Sequence, residues 1–193
     1  MDRRTMVIAV SAMLCACGRP ADTSVANTEH GMAVQPGENA APLAPPAPGT
    51  PGGLLDDRTP LEEPKAAIDP KSGEAAGQVM QHYGALLEQR RFAEAHKLWG
   101  EGGRASNLTE RQFAGQFSKY SEIHAQVGKP SDMGAAAGSI YVTVPFQLYG
   151  RVKSGGQFSR SGSATLRRVN DVPGSSEAQR RWHIERIEFD GAG

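Results

Sequence analysis

The chain has 193 residues, no net formal charge and 38% hydrophobic residues. Ten of its 13 prolines fall between Pro20 and Pro70, and no aromatic residue precedes Tyr83. A packed core needs large apolar side chains, so the first 70 residues do not form a globular domain and one domain is expected in the remainder. From residue 72 onward, fifteen basic residues oppose twelve acidic ones without a basic stripe, which speaks against nucleic acid as a partner.

The N-terminus has the pattern of a secretion signal. Two arginines precede an apolar stretch that ends at Leu14, and this stretch is shorter than the roughly 20 residues of a membrane-spanning helix. A basic start, a short apolar segment and small residues at its end predict a signal peptide at residues 1–16. The two cysteines, Cys15 and Cys17, end this segment, so the following domain lacks a cysteine for a disulfide, a thiol nucleophile or a thiolate metal site.

The segment Leu14-Cys15-Ala16-Cys17 resembles the lipobox of bacterial lipoproteins, which runs leucine, a variable residue, a small residue and cysteine. The resemblance implies cleavage before Cys17 and acylation of its sulfur, so that the membrane is a partner through a lipid anchor. Gly18 stands where an aspartate would signal inner-membrane retention, which favours the outer membrane of the cell envelope, facing the periplasm. The alternative is an ordinary signal peptide with two incidental cysteines. Anchorage at Cys15 is disfavoured because Leu14 would then occupy the small-residue position.

Residues 17–71 are predicted to form a lipid-anchored, disordered linker. Residues 40–53 are rich in proline, alanine and glycine, a composition that favours polyproline II without internal hydrogen bonds. A linker of about 50 residues spans roughly 40 Å as a coil and about 160 Å at polyproline extension. It either carries the domain towards the cell wall or a partner, or serves only as a spacer. Four apolar residues in it are candidates for docking on the domain: Leu54, Leu55, Leu61 and Ile68.

The first part of the domain is predicted to be helical. Apolar residues at helical spacing in residues 79–87 mark one helix. A second, shorter helix occupies residues 92–99, and three glycines end it. Thr109 is a favourable N-cap for a third helix, and Gln112 completes a capping box with it.

After Tyr120 the hydrophobic period changes to two, which predicts β-strands. We expect four strands, around residues 123–127, 140–149, 157–169 and 181–190, with loops at 131–138 and 170–179. Pro145 cannot donate to a ladder, so its strand has a bulge or an edge there. The inward parity changes along the last strand, which predicts a bulge near Glu185 and Arg186.

Helices followed by a meander indicate an α+β domain over residues 72–193, with N-terminal helices packed on an antiparallel sheet of about four strands. This order, together with Arg91-Phe-Ala-Glu-Ala-His-Lys-Leu-Trp99 and Trp182-His-Ile-Glu-Arg-Ile187, resembles the nuclear transport factor 2-like superfamily. SnoaL-like proteins and ketosteroid isomerases share that fold. The resemblance implies a curved, cone-like sheet around a long helix, enclosing a pocket. Another helix-plus-meander fold, such as a cystatin-like one, is the alternative.

Enzymes of that superfamily place polar, titratable side chains inside the cone. Here the inward strand positions are expected to be apolar throughout, and acid–base chemistry needs two titratable groups in contact. We therefore assign no catalytic residue. The histidines are scattered: His96 lies alone on a short helix, and His82, His124 and His183 lie at polar positions. No motif indicates a metal or a cofactor. Five aromatic residues are candidates for a ligand pocket: Tyr83, Trp99, Phe117, Tyr120 and Trp182.

The polar face of the sheet is a candidate interaction face. Its members are Tyr141, Gln147, Tyr149, Arg151 and Arg167. Exposed tyrosines beside arginines suit contact with a protein or glycan, although a solvated antiparallel face alternates in the same way. The leading hypothesis is an anchored, non-catalytic module that binds a small apolar ligand or an envelope protein. The alternative is a small hydrolase or isomerase that uses the cone pocket, with Tyr83 or Tyr120 and a histidine. The superfamily resemblance also raises a homodimer through the sheet.

Overall fold

A computed structural model describes residues 43–54 and 60–191. The predicted signal peptide, the lipobox with Cys17 and the predicted linker up to residue 42 lie outside the described residues, as does Leu55. Among the helices that are described, none combines the length and apolar character needed to cross a membrane.

The helices of the described region lie mostly before the strands. They are α1 (Gly73–Glu88), α2 (Phe92–Lys97), a kinked 3₁₀ segment (Gly100–Ser106), α3 (Glu110–Gln116) and the short α4 (Glu177–Arg180). The Ser72 side chain caps α1 by accepting a hydrogen bond from the N–H of Ala75 at 3.2 Å. The predicted capping box of α3 is confirmed. The N–H of Gln112 donates to the Thr109 hydroxyl at 3.3 Å, and the N–H of Thr109 donates to the Gln112 side chain at 3.0 Å.

One antiparallel sheet contains the strands of the described residues. These are β1 (Tyr120–Val127), β2 (Gly134–Ala136), β3 (Ser139–Val152), β4 (Gln157–Val169) and β5 (His183–Phe189). The order is β1-β3-β4-β5, and β2 also pairs with β3. The α+β class, with helices packed on an antiparallel sheet, is confirmed, with five strands in place of about four. The extra strand, β2, lies in a predicted loop because its glycine and two alanines are all exposed and show no hydrophobic alternation.

The bulge predicted in the last strand is confirmed. Thr165 pairs with Arg186, but the next residue, Leu166, pairs with Ile184. Glu185 is therefore the extra residue, and the bulge explains why the apolar parity changes along β5.

Pro145 lies where β1 ends. The last pair between β1 and β3 joins Val127 to Phe146, and the N–H of Gly128 then donates to the carbonyl of Pro145 at 2.9 Å as the chain leaves the strand. In an antiparallel ladder the N–H of a residue points to the same side as its carbonyl. The N–H that Pro145 lacks would therefore point to the side of β3 on which β1 ends. This is the edge that the sequence predicts at Pro145.

The core lies between α1 and one face of the sheet. This inner face carries, among others, Val142, Val144, Phe146, Ala164 and Leu166. The opposite, outer face carries, among others, Tyr141, Thr143, Gln147, Ser159 and Thr165. Met80 and Leu87 of α1 are fully buried against the inner face, and each such side chain contributes about 1.5–3 kcal/mol to stability. A Cβ on Gly84 would lie 2.6 Å from the Cβ of Ala125, so glycine lets α1 approach β1.

Residues 43–54, which we call the strap, lie on the outer face of the sheet. The carbonyl of Gly52 accepts hydrogen bonds from the side chains of Gln147 in β3 and Ser159 in β4. Leu54 is only 1% exposed, although it is not part of the core under α1. The strap therefore has both a polar and an apolar point of attachment to the domain.

Residues 60–71 also follow the domain surface. The N–H of Leu61 donates to the carbonyl of Val127 at 2.8 Å, and the carbonyl of Leu61 accepts from the Gln81 side chain at 3.2 Å. The described parts of the predicted linker thus contact the domain at Gly52 and Leu61, while most of their other residues are exposed. Leu54 and Leu61, two of the four candidate docking residues, provide the apolar contacts that composition alone does not weigh.

We expect Leu54→Ala to lower the free energy of unfolding by about 2–3 kcal/mol, because it removes a fully buried leucine and leaves a cavity. The loss of stability should not exceed this range, because the strap can detach from the domain when keeping it docked around a cavity would cost more. Denaturant titration followed by tryptophan fluorescence measures the change. Val172→Ala, which shortens a side chain that is 45% exposed, is the control and should stay within about 0.5 kcal/mol of the parent. Equal effects of the two substitutions would contradict docking of the strap.

Candidate functional site

A cavity of about 530 Å³ lies between the helices and the inner face of the sheet. Both layers contribute to its lining: Tyr83 from α1, Phe113 from α3, Leu148 from β3 and Phe189 from β5. Its volume falls in the range of small-molecule pockets, about 300–1,000 Å³.

Aromatic rings form much of the cavity wall. The ring of Tyr83 meets those of Trp99 and Phe113 edge to face, with centroids 6.5 and 6.4 Å apart. Phe113 in turn packs against Phe117 at 5.4 Å. Because each ring is held by its neighbours, the cavity is preformed, as apolar ligand sites usually are.

Two hydrogen-bond donors are buried in this aromatic wall. Burial raises the pKa of the Tyr83 phenol well above its ordinary value. The neighbouring indole N–H of Trp99 offsets part of the rise, although the pair does not reach hydrogen-bond geometry. Among the described residues, the Trp99 N–H has no hydrogen-bond partner. An unpaired buried polar group costs about 1–3 kcal/mol, so this wall favours a ligand that supplies an acceptor.

Two basic side chains lie at the solvent-exposed mouth of the cavity. The guanidinium carbon of Arg160 lies 4.3 Å from the centroid of the Phe189 ring, and Nζ of Lys119 lies 5.1 Å from that of Tyr120. Such cation–π contacts hold a charge near an aromatic surface. Within the described residues, neither base forms an ion pair and no Asp or Glu lines the cavity.

Arg160 corrects one expectation from the sequence. The inward strand positions were expected to be apolar throughout, yet Arg160 pairs with Leu148 and shares the inner face of β4 with Leu166. Counting back by twos from Leu166 through Ala164 and Gly162 reaches Arg160, so the alternation contained the signal. Residue 162 is a glycine because a Cβ there would lie 2.0 Å from the carbonyl oxygen of residue 188. This glycine interrupts the apolar pattern between Ala164 and Arg160.

The structure brings together four of the five predicted pocket residues. Tyr83, Trp99, Phe117 and Tyr120 line the cavity. Trp182 does not, and is buried in the core immediately before β5. The cavity is lined by the far end of that strand, at Ile187 and Phe189. A strand rises about 3.3 Å per residue, which separates Trp182 from the cavity.

His96 and Ser106 contact one another beside the cavity, and their geometry is that of a structural network. Nε2 of His96 lies 3.1 Å from the Ser106 hydroxyl and 3.0 Å from the carbonyl oxygen of Leu108. The contact with a carbonyl requires a proton on Nε2, so this nitrogen is a donor and does not accept the serine proton. Ser106 itself donates to the carbonyl of Gly103 at 2.7 Å. The sequence placed His96 alone, because its partners come from the turn-rich segment after α2.

The predicted interaction face is altered most at Gln147. This side chain was expected to be exposed, but it is fully buried and donates to Gly52 of the strap and, at 3.1 Å, to the hydroxyl of Ser159. Tyr141 and Arg167 lie farther along the outer face and are half-buried. The Arg167 guanidinium lies 5.9 Å from the centroid of the Tyr141 ring, so these two side chains partner each other.

The other two members of the predicted face belong to a cluster on β1 and β3. The rings of Tyr149 and His124 stack with centroids 5.2 Å apart, and Arg151 lies 3.2 Å from a carboxylate oxygen of Glu122. A hydrogen bond from His124 lowers the pKa of Glu122, with a smaller contribution from Arg151.

In residues 43–54 and 60–191 no three His, Cys, Asp or Glu side chains are grouped so that they could hold a metal ion.

No protein-family model and no curated protein matches the chain. A solved structure of a nuclear transport factor 2-like superfamily protein from Salmonella enterica serovar Typhimurium is similar in fold. The two chains share 11% sequence identity over 63% of this chain and 94% of that chain, with a TM-score of 0.41. This likeness concerns the fold alone; the α+β assignment itself stands on the element order and sheet topology described above.

Proposed function

We propose that this protein is a non-catalytic binding module of the bacterial envelope, held at the membrane by a lipid on Cys17. Its ligand is a small apolar molecule that occupies the cavity between the helices and the sheet. The observation that carries this proposal is the cavity of about 530 Å³, with aromatic walls and buried donors at Tyr83 and Trp99. Ligand pockets commonly combine an apolar lining with a few fixed polar groups.

A binding role explains the polar groups in and beside the cavity better than catalysis of hydrolysis or isomerisation does. General acid–base catalysis needs a group that titrates near the working pH, in contact with a second polar group. Burial raises the pKa of Tyr83 further from neutrality, so its phenol donates a hydrogen bond but does not serve as a base. Nε2 of His96 is already engaged with the carbonyl of Leu108.

A small ligand is also favoured over a protein partner at the sheet. The strap covers Gln147 on the outer face, and the tyrosines of that face are stacked with His124 or lie beneath Arg167. These side chains contact one another, whereas the Trp99 indole in the cavity wall lacks a hydrogen-bond partner among the described residues.

The cavity is tested with the uncharged fluorescent dye N-phenyl-1-naphthylamine. We expect the dye to bind, and Gly115→Phe to weaken binding by about tenfold or more, a loss of about 1.4 kcal/mol. Gly115 lines the cavity and a Cβ there would meet no atom within 4 Å. We expect a phenylalanine there to occupy part of the cavity, because its side chain has room beside the lining. Fluorescence titration of the full chain carrying Cys17→Ser, which is free of acyl chains, gives the dissociation constants.

Gly134→Phe is the matched control. Gly134 lies in the exposed β2 strand, away from the cavity, and a Cβ there also meets no atom within 4 Å. It should leave dye affinity within about twofold of the parent, which is about 0.4 kcal/mol. Absence of dye binding to the parent, or equal binding to both variants, would overturn the assignment of the cavity as the ligand site.

The anchor rests on the resemblance of Leu14-Cys15-Ala16-Cys17 to a lipobox and is tested separately. In cells fed radiolabelled palmitate, the parent chain and Cys15→Ser should carry label and fractionate with membranes. Cys17→Ser should carry none and appear in the soluble fraction, because it lacks the acylated sulfur. Labelling that disappears with Cys15→Ser and persists with Cys17→Ser would contradict the assigned anchor.

A further inference from the structure

We propose that the cavity selects amphipathic anions: molecules with an apolar body and one negatively charged group, such as a carboxylate. The body lies among the aromatic rings, and the charged group lies at the mouth, against Arg160 and Lys119. This inference rests on the proposed ligand-binding function and adds the sign and position of the ligand's charge.

The first support is the position of Arg160. It belongs to the inner face of β4, opposite Leu148, on a face whose neighbouring residues Ala164 and Leu166 are fully buried. An arginine on the core side of a strand is costly unless its charge reaches water or a partner. Here the charged group remains exposed at the cavity mouth, and the face of the Phe189 ring holds it there.

The second support is the distribution of ion pairs. Seven arginines in the described residues lie close enough to a carboxylate to form an ion pair: Arg91, Arg104, Arg151, Arg167, Arg168, Arg180 and Arg186. Four described arginines (Arg90, Arg111, Arg160 and Arg181) and Lys119 have no such partner in the described residues. Of these arginines only Arg160 lines the cavity, and the lining contains no acid. The charge at the mouth is therefore available to an anion that comes from outside.

The third support is the contrast between the mouth and the interior. The interior donors, the Tyr83 phenol and the Trp99 indole, are neutral and deeply buried. The same burial that holds Tyr83 in its neutral form would penalise an anionic group placed beside it. An anion is thus accommodated at the mouth, where water and the two bases solvate it, while the interior accepts an apolar body.

Competition between three ligands with the same tail tests the sign of the charge. Decanoate, 1-decanol and decyltrimethylammonium each displace N-phenyl-1-naphthylamine from the chain carrying Cys17→Ser, at low ionic strength. We expect decanoate to displace the dye at concentrations about tenfold lower than decyltrimethylammonium, with decanol between them, as one charge-assisted contact implies. A parent protein that prefers the cation, or shows no preference, would overturn the inference.

Three variants locate the preference. Arg160→Gln should reduce the advantage of decanoate over decyltrimethylammonium to about threefold or less, and Arg160→Lys should restore most of it. Arg186→Gln is the control, because Arg186 is an exposed arginine of β5 that pairs with Glu188 and does not line the cavity. It should retain the full preference. An equal loss in Arg160→Gln and Arg186→Gln would show a general charge effect and reject the specific contact.

The dye separates this inference from the function on which it rests. If the neutral dye binds and Gly115→Phe weakens its binding as expected, but decanoate has no advantage, the cavity binds ligands and the assigned charge is wrong. If the dye fails to bind the parent chain, the proposed function fails first. Thermal denaturation of each variant confirms that a lost preference does not arise from unfolding.

Discussion

The register between β3 and β4 is the constraint on which the rest of the structure depends. Thirteen consecutive pairs, from Ser139 with Val169 to Arg151 with Gln157, fix which side chains face the helices. Because side chains alternate along a strand, a slip of one residue would exchange the two faces completely. Buried apolar side chains would then enter water and polar ones would enter the core. Several such exchanges would exceed the roughly 5–15 kcal/mol that stabilises a typical domain.

The same register places the cavity and the strap back to back. In β3, Gln147 holds the strap while the next residue, Leu148, lines the cavity. In β4, Ser159 holds the strap while Arg160 stands at the mouth. Docking of the strap and the shape of the cavity wall therefore depend on the same two strands. A docked strap helps to hold the cavity wall in place, since both faces of β3 and β4 then pack against fixed neighbours.

The sequence predicts the regular elements well because their signals are local. Helical spacing, the Thr109 capping box and the parity change at Glu185 each depend on residues within a few positions of one another. The packed strap could not be predicted in this way. Its composition favours an extended, solvated chain, and its attachment at Gly52 joins residues about 100 positions apart in the chain.

The site was predictable in its aromatic part and not in its polar part. Apolar periodicity on α1 and α3 placed Tyr83 and Phe117 on faces that meet in the core, and the cavity lies where those faces end. Arg160 was missed because Gly162 breaks the apolar pattern on its face of β4. The partners of His96 were missed because they lie in a turn-rich segment with left-handed residues, where neither strand nor helix periodicity applies.

The two kinds of polar group at the cavity have different consequences for selectivity. A neutral donor in the wall, such as the Trp99 indole, discriminates strongly, because a ligand without an acceptor leaves it unpaired in a dry environment. A base at the mouth discriminates more weakly, because water and salt screen its charge, but it attracts ligands of the correct sign from a greater distance. Under the proposed function, the interior donors would therefore select which apolar bodies are held, and Arg160 would select the charge that they carry at the entrance.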